Sequence, residues 1–169
     1  MNNEHDDEKC ENPHCDACKY GMEEVERRER MNLEKYGWIA HVVPEYEGSP
    51  LDFNLHTHGV QENFDHPDFE VVLPMNPVII MGMLHNIVNR IKEGETFVTG
   101  RQYTNLIYAE GPGRNLPVEF AESTECGRRV LRVILPDEDL STNRANMKHP
   151  FVHQWEGIDG IVEKFETCG

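Results

Sequence analysis

Apolar positions along this chain recur first with a helical period, then at every second residue, then helically again. Residues 1–18, rich in Asn, Asp, Glu and Cys, carry no apolar period and are expected to form an irregular leader ahead of a single domain over 19–169. From about Lys19 to Tyr36 the run KYGMEEVERRERMNLEKY has helix-forming composition. Its apolar stripe, Met22, Val25 and Leu33, is sparse, so the helix is predicted to be mostly exposed, with Gly37 ending it. GWIAHVV (37–43) then alternates, placing Ile39, His41 and Val43 on one face of a strand.

A loop marked by Pro44, Gly48 and Pro50 leads to a second predicted strand, DFNLHTH (52–58). Phe53, Leu55 and Thr57 share one of its faces, and Asp52, Asn54, His56 and His58 share the other. GVQENFDHP reads as a loop and DFEVVLP (68–74) as a third strand. Asn76 is placed to cap a helix with Pro77 at its first position, and Ile80, Leu84, Ile87 and Ile91 follow the spacing of a buried face up to Gly94. YTNLIYAE, LPVEFAE and RRVLRVILP read as three more strands, with GPGRN as a turn. The last strand is apolar on both faces apart from Arg132, which predicts a central position in the sheet. Beyond Pro136 the chain reads as irregular, with a short closing helix at about 158–167. Helices and strands do not alternate regularly. The expected fold class is therefore α+β: a mostly antiparallel mixed sheet packed against one long central helix, with an N-terminal helix and the Cys-rich leader.

Charge narrows the classes of partner. The chain has 31 acidic and 16 basic side chains, a formal charge of −15, and residues 36–89 hold seven acids and no base. Nucleic acid is bound by neutralising phosphates, and no basic stripe is present to do so, so nucleic acid is excluded as a partner. The one-sign middle segment suits a cation, a metal ion or a basic protein partner. No apolar run approaches the ~20 residues of a membrane span, so no membrane association is expected. The acidic opening MNNEHDDEKC has the features of neither a secretory signal nor a transit peptide, which points to the cytoplasm.

EKYGWIAHVV, the DF that follows, HPDFEVV with its Pro-led apolar helix, and the later FAESTECGRRVLRVILPD together resemble the bacterial domain-of-unknown-function family 4262 over roughly residues 34–140. The resemblance implies a fold and carries no established activity. Where that pattern has an apolar strand end of the Tyr-Thr-Ile/Val-Gly kind, this chain reads His56-Thr57-His58-Gly59.

Two groups of residues can carry chemistry. Cys10-x4-Cys15-x2-Cys18, with His14 inside it and His5 upstream, has spacing suited to zinc, where two sulfurs turn toward one ion and two more ligands complete it. His14, His5 or Cys168 are candidates for completion. Incidental thiols and a redox switch remain the alternatives. The second group is His56-x-His58 with Glu62 and His66. On an extended strand, positions i and i+2 project from one face, so two imidazoles can meet one ion, and neutral imidazole suits zinc and other transition metals. His41 on the adjoining strand and Asp52 are further candidates. His-x-His-x3-Glu also matches the core of the cupin metal motif, without that motif's glycines.

Weaker features are His149-x3-His153, interrupted by Pro150; the Asp137-Glu138-Asp139 run, equally readable as a solvated turn; His85, on the long helix beside its apolar face; and Cys126 ahead of Arg128 and Arg129. Phosphate-loop and serine-elbow motifs are absent. The leading expectation is a zinc-binding α+β protein. The alternatives are an acidic protein–protein interaction module, with a symmetric dimer through strand edges as a candidate assembly, and a metal-dependent hydrolase or oxygenase.

Overall fold

The computed structural model describes residues 16–43, 53–108, 115–125 and 127–158. The chain divides into two compact units, residues 1–39 and 40–169.

The described part of the first unit is helical. α1 (Asp16–Tyr20) and α2 (Met22–Tyr36) are separated at Gly21, whose φ of 85° breaks what the sequence suggests is one helix. Residues 16–18, expected to be irregular, belong to α1. α2 has no buried residue, in keeping with its sparse apolar stripe. Its charges pair along the helix: Arg27 and Arg28 both bond the Glu24 carboxylate, at 2.7 and 2.8 Å, and hold its pKa down to about 2. Gly37, at φ 78°, ends the helix with its N–H on Leu33 O, as expected.

The second unit is built on a six-stranded sheet. The strands are β1 (Ile39–Val43), β2 (Asn54–His58), β3 (Asp68–Val71), β4 (Gln102–Tyr108), β5 (Asn115–Glu125) and β6 (Arg128–Ile134), in the order β1-β2-β3-β6-β5-β4. β3 and β6 run parallel, while β2/β3, β5/β6 and β4/β5 are antiparallel, giving the α+β class with a mixed sheet. β6 is central, as its two apolar faces predict. Between β2 and β3 the stretch expected to be a plain loop holds a short helix, α3 (Val60–Phe64).

The helix α4 (Pro77–Lys92) begins where expected. Asn76 Oδ1 accepts the Val78 N–H, Pro77 follows, and Ile80, Leu84, Ile87 and Ile91 are buried together with Met83 and Val88. Asn86 Nδ2 donates to Leu106 O and Arg90 to Asn105, fastening α4 to β4. Phe69, Phe97, Tyr103 and Phe120 form an aromatic cluster with ring centroids 5.1–5.7 Å apart.

The opposite face of the sheet follows from register. His56 stands across from Glu70, Glu70 from Arg132, and Arg132 from Ala121. Ala121 and Ile134 on this face are covered by Met147, Phe151, Val152, Trp155 and Ile158. The segment after Pro136 is irregular in secondary structure, as expected, apart from a 3₁₀ turn, Phe151–Trp155, and it packs on this face. Asp137 is its hub, accepting the N–H groups of Asp139 and Ser141 on Oδ1 and that of Lys148 on Oδ2. These bonds, Ser141's foremost, hold the Asp137 carboxyl below the usual carboxylate range. No helix among the described residues is long and apolar enough to cross a membrane. The GPGRN turn and the closing helix at 158–167 fall almost wholly outside the described residues.

Candidate metal centre

Three imidazoles converge at the β1/β2 side of the sheet. His41 comes from β1, and His56 and His58 come from β2, two residues apart on one face. One ligand nitrogen from each lies within 4.8 Å of the other two. The rings of His56 and His58 are 4.7 Å apart, those of His41 and His58 4.9 Å, and those of His41 and His56 6.1 Å. His56 is buried, and the other two are half-buried.

Local structure fixes this arrangement. Gly59, at φ 99°, turns the chain sharply after His58, a conformation that L side chains rarely adopt. Asp68 then ties the strand end to the helix that follows. Its Oδ1 accepts from Thr57 Oγ1 at 2.6 Å and from the Val60 N–H, and its Oδ2 accepts from the Gln61 N–H. Arg128 closes the network from β6, donating to Asp68 Oδ2 (3.0 Å), to Thr57 O (2.6 Å) and, through Nε, to Glu125 Oε2 (2.7 Å).

The electrostatics favour neutral imidazole. Burial pushes the His56 ring below its ordinary pKa, against the pull of the Glu125 carboxylate. Burial lowers His58 as well, with Arg128 and the two neighbouring imidazoles adding to the effect. An imidazole kept neutral offers a lone pair to a metal.

The residues named from sequence are distributed as follows. His56, His58 and His41 come together. Glu62 is exposed on α3 and lies outside the triad. His66 is buried on the aromatic side, stacked on Phe69. Its Nδ1 faces the Pro67 carbonyl at 2.9 Å, and its Nε2 accepts the Phe97 N–H at 3.0 Å. Both ring nitrogens are engaged within the fold, so His66 serves as a core hydrogen-bonding group. Cys18 is exposed on α1, and Cys10, His14, Cys15, Asp52 and Cys168 lie outside the described residues. His149 and His153 have ring centroids 4.7 Å apart, both exposed, with His153 bonded to Glu156. Arg128, noted from sequence beside Cys126, is committed to two carboxylates and a carbonyl.

Sequence reading passed over Glu125. This buried carboxylate at the end of β5 has its Oε1 3.6 Å from His56 Nε2. A signal was present: in the alternation of FAESTE, Ala121, Ser123 and Glu125 share a face, which sets a charge at an inward position across from Arg128.

A comparison with protein families matches residues 32–139, more than half of the chain, to Domain of unknown function (DUF4262), and the chain belongs to that family. No curated protein and no solved structure matches it.

Proposed function

We propose that this chain is a metal-binding protein whose centre is His41, His56 and His58, taking zinc or another divalent transition metal. The observation that carries the reading is the convergence of three imidazoles from two adjacent strands, with ligand atoms within 4.8 Å of one another. Zinc–nitrogen bonds of about 2.0–2.1 Å bring such atoms a little closer together, within the reach of side-chain rotation. All-imidazole donors suit zinc, copper, nickel or iron rather than magnesium or calcium.

The test is elemental analysis and metal titration of the full chain. Wild-type protein is expected to take up one ion tightly at the triad. A His56→Ala/His58→Ala variant that keeps its fold is expected to lose that ion, and Cys10, Cys15 and Cys18 changed to Ser are expected to leave it in place. A wild type that takes up no metal, or metal lost only with the cysteines, overturns the reading. The second outcome would move the site to the leader.

A further inference from the structure

The triad supplies three donors and leaves the rest of the coordination sphere to be filled. Resting on the metal reading above, we propose that Glu125 is the fourth protein ligand, making a centre of three imidazoles and one carboxylate.

Asn54 Nδ2 donates to Glu70 Oε1 at 2.8 Å, and the other oxygen of Glu70 accepts from Arg132 Nε at 2.8 Å. A carboxylate only accepts, so the Asn54 amide is oriented with its nitrogen toward Glu70. Its carbonyl oxygen Oδ1 is then the atom 3.4 Å from His56 Nδ1. An amide oxygen also only accepts, which makes Nδ1 the protonated nitrogen of the neutral ring and leaves the lone pair on Nε2.

Nε2 faces Glu125 Oε1 at 3.6 Å. Two electron-pair donors therefore lie side by side at a separation too long for a hydrogen bond between them. The spacing to His56 suits two ligands of one ion, since donors about 2.0–2.2 Å from a tetrahedral zinc sit roughly 3.4 Å apart; Glu125 stands outside the group whose ligand atoms lie within 4.8 Å of one another, so its side chain has to turn toward the ion on loading. The surroundings match those of a ligating pair. Metal-bound histidines donate their second nitrogen to an acceptor, here Asn54, and ligating carboxylates are themselves hydrogen-bonded, here by Arg128 on Oε2 at 2.7 Å. One carboxylate among three imidazoles also makes the donor set harder, bringing manganese and iron into its range alongside zinc.

Two experiments on the full chain test this. The first needs no variant: in a crystal structure of the zinc-loaded protein, Glu125 Oε1 is expected about 2.0–2.2 Å from the ion. An ion held by the three histidines with Glu125 Oε1 more than about 3 Å away overturns the proposal and leaves the triad reading intact. The second is Glu125→Gln, which retains an oxygen for Arg128. The apo protein is expected to keep its fold, zinc affinity to fall at least about tenfold, and the visible spectrum of the cobalt-loaded protein to change in intensity. Wild-type affinity and an unaltered cobalt spectrum in this variant overturn the fourth ligand alone. A wild type that takes neither zinc nor cobalt overturns the triad and this inference together.

Discussion

On one face of the sheet stand Phe69, Leu131 and Phe120; one residue along the same strands, on the other face, stand Glu70, Arg132 and Ala121. The first set is buried among rings and aliphatic side chains. The second includes a buried ion pair, Glu70 with Arg132, whose guanidinium also bonds the Gln154 and Glu156 carbonyls and Ser123 Oγ. The histidine triad lies along the strand that continues this second face. An apolar face needs only shape and area to be stable, whereas a buried polar face must satisfy every donor and acceptor. The difference separates the part of the protein that makes it fold from the part that can do chemistry.

The largest expected effect lies on the aromatic face. Phe120→Ala deletes the ring that touches Phe69, Phe97 and Tyr103, and a loss of about 4 kcal/mol is expected in urea denaturation. Zinc affinity of the folded fraction should stay at the wild-type level. A loss under about 1 kcal/mol would show that this face does not carry the stability assigned to it.

Next comes the charged face. Arg132→Met leaves Glu70 buried without its cation and frees the carbonyls that tie the 3₁₀ turn to the sheet, at a cost of about 3 kcal/mol. Adding Glu70→Gln should restore much of that stability, because removing both charges avoids the uncompensated one. If the double variant is less stable than the single, the Asn54 amide is enough to hold the Glu70 carboxylate without Arg132, and the two faces differ less in what they demand of their partners. Smaller again is Asn76→Ala, which removes the cap of α4 above the apolar face. About 1 kcal/mol of thermal stability should be lost, with no change at the triad.

What was legible in the sequence follows the same division. The apolar face could be read because periodicity reports burial directly. Ile80, Leu84, Ile87 and Ile91 mark α4, and the two-sided apolar run of β6 marks the sheet centre. The charged face was only half legible. His56 and His58 share a strand face by spacing alone, but pairing of β1 with β2 is what brings His41 to them, and a single sequence does not encode that pairing locally. Glu125 is more distant still: register sets Ala121, not Glu125, in the row of His56, and Glu125, across from Arg128 at the end of β5, comes within 3.6 Å of His56 only in the folded sheet. His66 illustrates the converse. Its spacing from His58 suggests a ligand, but the 3.0 Å bond from Phe97, thirty-one residues away, places it in the core. Asp137 reads as a solvated turn and is in fact buried, because its backbone partners become visible only once the loop is closed.

The smallest expected effect is on the pH dependence of the metal-free protein, and it separates the triad from both faces. Burial sets the imidazoles of His56 and His58 below the ordinary value of 6.5. As pH falls through 6.5 the unfolded chain therefore takes up protons that the folded chain still refuses. Stability is fully present above that value and declines through the window beneath it, down to the folded-state pKa values. Asp137 acts in the same direction in a separate range: its carboxyl is held down, so its contribution is present above the unfolded carboxylate pKa and is lost only in more acidic solution. The urea midpoint of the apo protein should be flat from pH 8 to pH 7 and begin to fall below about 6.5. In His56→Gln/His58→Gln that early decline should vanish while the acidic limb remains. An early decline of the same slope in the double variant would assign it to other groups, and the triad would then contribute nothing to the proton linkage of folding.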